Sequence, residues 1–443
     1  MFERNSIQYL RQWRTKTNRK PLILRGARQV GKTTIVSQFA KDFNQYVYLN
    51  LEKEQDRRLF SEIMDIEQTI ERISYSTHTQ LDSETLLFID EIQNSPLAIQ
   101  QLRYFYENHP EICVIAAGSL LENYAGKTFS FPVGRVEYMA MHPCNFYEFL
   151  NAIGKTDDQK TILENKGHLI HERLMQSFKT YTLIGGMPEI VANYAETQNI
   201  RASESIYSTL LNAYKDDVEK YAISKSQAAT IRHILEYGWA KAGEIITYEK
   251  FAGSNYKSRE ISEAFLTLQK SMLLETTYPT SCVQMPIIPN LSHHPKLLWV
   301  DTGLVTYQSG IRDELFNSTD IQDVYRGKIA EHIVGQELIA YSNSIDSKRY
   351  FWQKSVKSEA EVDFLYVFES KLIPIEVKSG ANAKLKSIQQ FMALSPTKIA
   401  IRIWSKPFEI NDIANPIDGK TFKLINMPFY MVGMLDKIIQ ENI

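Results

Sequence analysis

The chain is poor in what would mark several protein classes. It has three cysteines in 443 residues, Cys113, Cys144 and Cys282, and no two share a metal-binding spacing. That excludes a disulfide framework and a Cys-based zinc site, and Cys113, inside an apolar run, reads as core. No stretch approaches the ~18 consecutive apolar residues of a membrane span, and the N-terminus has no apolar run of signal-peptide length. The expectation is a reducing cytoplasm and no membrane partner. Charge of one sign is also missing. Lys and Arg number 50 against 52 Asp and Glu, a net charge of -2, so any basic surface for nucleic acid is local and offset elsewhere. Internal repeats and low-complexity tracts are absent.

What is present is ordinary for folded domains, with 44% hydrophobic and 23% charged residues. The length exceeds one comfortable core and predicts two to four domains. Residues 4–19 read as a basic amphipathic helix with Ile7, Leu10 and Trp13 on one face. Short apolar runs follow at Pro21-Leu-Ile-Leu, Tyr46-Val-Tyr-Leu-Asn-Leu, Leu86-Leu-Phe-Ile, Ile112-Cys-Val-Ile-Ala-Ala and Val136-Glu-Tyr-Met-Ala-Met, mostly separated by helical spacing. Continuous apolar strands alternating with helices predict a parallel sheet covered on both faces.

From about 142 to 240 the pattern is helical, broken at Ile184-Gly-Gly-Met-Pro188. Residues 246–280 have helix-turn-helix spacing, with Leu274-Glu-Thr-Thr-Tyr able to begin a wing. Residues 281–297 read as a loop or linker. A second α/β unit follows from about 320: a helix at 324–341, strands at Arg349-Tyr-Phe-Trp, Val362-Asp-Phe-Leu-Tyr-Val-Phe and Leu372-Ile-Pro-Ile-Glu-Val, a helix near 384–394 and a strand at 398–404.

The first run leads into Gly26-Ala-Arg-Gln-Val-Gly31-Lys32-Thr33, a complete phosphate-binding loop. Its glycines let the backbone wrap a polyphosphate, its N–H groups point inward, and the following helix offers its positive end. Gly26, Ala27, Arg28, Gln29, Val30, Gly31, Lys32, Thr33 and Thr34 are therefore the expected nucleotide contacts, with Lys32 on the β- and γ-phosphates and Thr33 on Mg²⁺. Leu86-Leu-Phe-Ile-Asp90-Glu91 places two carboxylates at a strand end. Asp90 would hold Mg²⁺ through water and Glu91 would polarise the attacking water. Ser119, after the fourth run, either senses the γ-phosphate or helps position the water, or is a simple turn residue. Arg135 is either a phosphate contact, in cis or from another subunit, or half of an ion pair. Without the Asn-Lys-x-Asp signature of guanine binders, ATP is the expected nucleotide.

A second constellation lies near the C-terminus. Asp363 and Glu376 fall on successive apolar strands, and Lys378 shares the side of Glu376 by the strand period of two. Two close carboxylates bind a divalent metal, and Glu331 on the preceding helix is a further candidate ligand. The competing expectation is strand capping or an internal salt bridge.

These motifs, with Phe88-Ile-Asp-Glu-Ile-Gln93, Ala117-Gly-Ser-Leu-Leu, Val133-Gly-Arg, Gly185-Gly-Met-Pro-Glu189, Asp301-Thr-Gly-Leu304, Glu361-Val-Asp-Phe and Pro374-Ile-Glu-Val-Lys378, run in order along nearly the whole chain. The sequence thereby resembles the prokaryotic AAA-type ATPases with a C-terminal DUF4143 domain. The resemblance implies an α/β fold in four parts. They are a P-loop AAA-type core (1–145), a helical lid (146–240), a winged-helix segment (241–300) and a C-terminal domain similar to PD-(D/E)xK restriction nucleases (301–443). It also implies an ATPase coupled to a DNA-related, nuclease-like module. DNA, a protein partner or a second copy of the chain are the expected partners. The alternative is an ATP-driven signalling switch whose C-terminal unit is a non-catalytic partner-binding module. The arginine finger and lid sensor arginine of ring-forming AAA proteins have no assigned position here, so the resemblance does not extend to a hexamer.

Overall fold

The structure, a computed structural model, describes residues 2–60, 65–118, 132–317, 327–355, 360–378 and 385–443. The five apolar runs of the N-terminal half become β1 (Leu22–Arg25), β2 (Gln45–Asn50), β3 (Thr85–Asp90), β4 (Cys113–Ala117) and β5 (Glu137–Ala140). They form one sheet in the order β2-β3-β4-β1-β5, parallel at every pairing.

Residue alternation explains why these strands are apolar throughout. Leu22, Leu24, Leu86, Phe88, Cys113 and Ile115 join the core on one face, while Ile23, Leu87, Ile89, Val114 and Ala116 join the core on the other. Each fully buried leucine or isoleucine contributes ~1.5–3 kcal/mol, so neither face of β3 accepts a charge short of its end. The chain turns polar at that end, with Asp90 and Glu91.

The helical region follows, including His171–Ile184, Pro188–Thr197, Glu204–Asp216 and Lys225–Tyr237. The break between the first two has a steric cause. Gly185 has φ +74°, and a Cβ there would lie 2.2 Å from Asp301 Oδ1; a Cβ on Gly186 would lie 2.2 Å from the Cys144 carbonyl oxygen. Pro188 then opens the next helix at the position where its missing N–H costs nothing.

Helix Ser258–Lys270 leads into β6 (Leu274–Thr277) and β7 (Pro279–Thr280), and β6 pairs antiparallel with β8 (Lys296–Trp299). Trp299 of β8 stacks on Trp239, ring centroids 3.8 Å apart at 18°.

The C-terminal unit adds β9 (Tyr350–Gln353), β10 (Glu361–Phe368), β11 (Lys371–Val377), β12 (Ile399–Trp404), β13 (Glu409–Ala414) and β14 (Thr421–Pro428). With β7 they make a mixed seven-stranded sheet, β13-β14-β12-β11-β10-β9-β7. Two findings depart from the sequence reading. Strands β13 and β14 extend the sheet beyond 398–404, and β7, at the end of the segment with helix-turn-helix spacing, pairs parallel with β9 as part of the C-terminal sheet. One buried apolar cluster includes Ile7 of the first helix, Leu24 of the first sheet and Ile439 of the last helix, so these parts share a core rather than hanging on linkers.

Candidate functional site

The phosphate-binding loop sits between β1 and helix Lys32–Phe39. The N–H of Met141 donates to the Arg25 carbonyl (2.7 Å), pinning the loop's start. A Cβ at Gly26 would lie 2.4 Å from the Met141 carbonyl oxygen, so only glycine fits. Gly31, at φ +94°, turns the chain into the helix. Lys32 Nζ donates to the carbonyls of Gly26 (3.0 Å) and Ala27 (2.9 Å). Burial pushes its ammonium down to about 8, although Glu91 and Asp90 pull the other way.

Because β3 neighbours β4, which neighbours β1, Asp90 arrives beside the loop. Thr33 Oγ1 donates to Asp90 Oδ2 at 2.8 Å, and the Tyr48 hydroxyl donates to the same oxygen at 3.3 Å. Burial is the main cause of the raised Asp90 carboxyl. Glu91 adopts φ +52°, ψ +42°, an uncommon conformation for a residue other than glycine. Its carboxylate accepts from the amide of buried Gln93.

Lys32, Thr33, Asp90 and Glu91 line a cavity of about 540 Å³, together with Arg28, Gln29, Gly31 and Thr34. Its far wall is Phe2, Pro188, Glu189 and Ala192. Gly26, Ala27 and Val30 hold the loop from behind, Ala27 and Val30 packing into the core. Arg28 forms an ion pair with buried Asp217 (2.5 Å), and the Tyr214 hydroxyl donates to the Arg28 carbonyl (3.3 Å), so the helical region grips the loop.

Two sequence candidates fall elsewhere. Ser119 lies outside the described residues. Arg135 pairs with Glu107 (2.9 Å) and does not line the cavity.

Arg4 was not singled out by sequence. Its guanidinium is buried, donates to the carbonyls of Val30 (3.2 Å) and His142 (2.8 Å), and pairs with Glu148 (2.9 Å). It looked like one of several arginines on an amphipathic helix, and no local signal separates it from them. Phe2, Pro188 and Ala192 were missed as cavity wall for a similar reason: apolar lining has no motif.

The second constellation assembles only in part. Asp363 on β10 and Glu376 on β11 fall on paired antiparallel strands, as the spacing predicts. Asp363 Oδ2 accepts from the Val377 N–H (2.7 Å), and Glu376 Oε1 pairs with Lys378 Nζ (2.9 Å). Glu331 turns to Lys296, whose Nζ lies 2.9 Å from Glu331 Oε2 and 3.0 Å from Glu361 Oε1. Burial, then Glu331 and Glu376, hold the Asp363 carboxyl well above the usual carboxylate range. Among the described residues no group of three His, Cys, Asp or Glu side chains is arranged to hold a metal ion. Glu331, Asp363 and Glu376 share one centre, but Lys296, which no sequence motif singles out, lies among them and pairs with Glu331. Of the two expectations, the salt bridge describes this geometry.

Comparison with protein families agrees with the sheet and loop. Residues 18–150 match an AAA domain, 175–315 a domain of unknown function (DUF8612), and 326–428 a domain of unknown function (DUF4143). A search of curated proteins finds no match. Among solved structures, the chain is similar to a Walker-type ATPase of Pyrococcus abyssi, with 12% identity, 70% of this chain and 96% of that one covered, and a TM-score of 0.42. It is also similar to a signal-transduction ATPase with numerous domains from Pyrococcus horikoshii, which carries a tetratricopeptide-repeat sensor. That match has 12% identity, covers 74% of this chain and 44% of that one, and has a TM-score of 0.28. No described helix is long and apolar enough to cross a membrane.

Proposed function

We propose that this chain hydrolyses ATP to ADP and phosphate in the cavity between the first sheet and the helical region. The observation that carries the reading is the convergence of Lys32, Thr33, Asp90 and Glu91 on one cavity, with the Thr33–Asp90 hydrogen bond at 2.8 Å.

The residues fit a nucleotide with its Mg²⁺. Thr33 Oγ1 and Asp90 are the oxygen donors such an ion takes, and Asp90 is buried at the strand end. Bound there, Mg²⁺ would neutralise charge on the β- and γ-phosphates. Lys32 leaves its two backbone carbonyls for the phosphate oxygens, a stronger charge-assisted partner. Glu91 accepts a proton from a water as that water's oxygen bonds to the γ-phosphorus. The bond from the γ-phosphorus to the bridging oxygen breaks, and its electron pair leaves with ADP. Gln93 orients Glu91. Arg28, between loop and Asp217, passes the change in the loop to the helical region.

Glu91→Gln tests the assignment. The variant should retain ATP binding, measured with a fluorescent analogue, while phosphate release falls by at least about 10²-fold. Turnover at the parent rate would end this role for Glu91.

For the C-terminal unit, we favour an ATP-driven switch acting through a non-catalytic partner-binding module, because Lys296 occupies its acidic centre. DNA coupling is the second reading. It is supported by the winged-helix-like succession of helix 258–270, β6 and β8, and by Asp363, Glu376 and Lys378 on neighbouring strands. On the helix itself Arg259 is paired with Glu263, which blunts its appeal to phosphate.

A further inference from the structure

A lysine is costly to bury, so one that is 2% exposed must be held by what surrounds it. Lys296 on β8 has Glu331 and Glu361 in direct contact and the rings of Phe351 and Phe364 at 4.9 and 5.8 Å from Nζ. Asp363 and the Glu376–Lys378 pair lie next in the same centre. Glu376 Oε2 is buried and has no hydrogen-bond partner among the described residues. Four carboxylates thus surround two ammonium groups. The set has the composition of a metal centre, but a cation that belongs to the chain already sits in it.

We propose that Lys296 is the resident cation of the C-terminal acidic centre: it closes the centre to divalent metal and fastens the β6–β8 pair to the C-terminal sheet. Two physical arguments carry this. A divalent ion needs oxygens free to coordinate it, and Glu331 and Glu361 have each committed one to Lys296. It would also have to lie close to a buried ammonium, where like charges repel with little screening by water.

The lysine comes from a different part of the chain than its partners, which makes the contact a lock between units. β8 runs on into Asp301. That buried carboxylate accepts from the N–H groups of Gly186 (2.6 Å) and Leu304 (2.9 Å), and Gly186 lies two residues before Pro188 of the nucleotide cavity wall. The same strand therefore holds the acidic centre at one end and the cavity wall at the other. The proposal does not depend on ATP being hydrolysed.

The test is Mn²⁺ binding, read by electron paramagnetic resonance on the nucleotide-free full chain. An Asp90→Asn background removes the nucleotide cavity's own metal contact. This background should bind no stoichiometric Mn²⁺. Adding Lys296→Gln, which keeps amide donors but removes the charge, should create a site for one Mn²⁺ per chain, at least about tenfold tighter than the background, and Asp363→Asn should abolish it. If Lys296→Gln does not fold, Lys296→Met with Glu361→Gln removes one charge of each sign and takes its place. The proposal is overturned if the Asp90→Asn background binds one Mn²⁺ that Asp363→Asn removes. It is equally overturned if a Lys296→Gln variant, or its Lys296→Met, Glu361→Gln replacement, shows a cooperative urea transition and binds none.

Discussion

The molecule has two centres in which lysines meet carboxylates, and they differ in what each lysine touches. Lys32 donates to two backbone carbonyls at the edge of an open cavity. Lys296, itself buried, contacts two half-buried carboxylates. A neutral carbonyl is a weaker partner than a carboxylate, so Lys32 is available to an incoming phosphate and Lys296 is not. The same residue type is a binding group in one place and a fastener in the other.

The sharpest way to break this contrast is to remove each lysine and read two observables. Lys32→Ala should cut phosphate release by roughly 10²–10³-fold and leave the urea midpoint nearly unchanged. Lys296→Ala should do the reverse. It removes the counter-ion of half-buried Glu331 and Glu361 beside buried Asp363 and should lower stability by about 3 kcal/mol, with ATP-analogue affinity retained in the folded fraction. Loss of stability in the first variant, or none in the second, would erase the distinction.

A smaller effect probes Asp301, two residues past the end of β8 and at the N-cap of helix Thr302–Gln308. Burial raises its carboxyl from 3.8 to about 6. The folded state therefore keeps this proton to higher pH than the unfolded state. Its contribution to stability is full below pH 4 and is lost as pH rises through 6. Two pH units at ~1.4 kcal/mol each give ~3 kcal/mol. Asp301→Asn cannot titrate, so relative to the parent it should gain ~3 kcal/mol between pH 4 and pH 7 in urea denaturation. A pH-independent difference would contradict the assignment.

The smallest effect is on binding. With Lys32 at about 8 in the free cavity, ATP must bring a proton with it above that pH. Analogue affinity should then fall by up to about tenfold per pH unit above pH 8, as titration calorimetry between pH 7 and 9.5 would show. Constant affinity across that range would mean that Lys32 stays charged without nucleotide.

Much of this was legible beforehand. The first sheet could be read because a parallel strand covered on both faces is apolar at every position, as in Leu86-Leu-Phe-Ile, and because the phosphate-binding loop has a fixed spacing. Asp363 opposite Glu376 followed from strand length alone. β13 was not legible: Glu409-Ile-Asn-Asp-Ile-Ala lies at a sheet edge, mostly exposed or half-buried, and its polar content reads as loop. The partners of Lys296 and Arg4 were illegible for another reason. Glu361 is 65 residues from Lys296 and Glu148 is 144 from Arg4, and charge pairing over such distances leaves no periodicity. The first helix is also shorter than its amphipathic pattern, Ser6–Arg14 rather than 4–19, because propensity does not mark where packing stops.

The stacked pair Trp239 and Trp299 gives the protein an optical gauge of its own. Trp299 shares β8 with Lys296, whereas Trp239 follows the helix Lys225–Tyr237. Two indoles this close couple their excited states, and that coupling depends steeply on separation and angle. A displacement of β8 against the helical region would change the near-ultraviolet circular dichroism without any added label. The state of the lock could thus be followed in real time while nucleotide is bound and released.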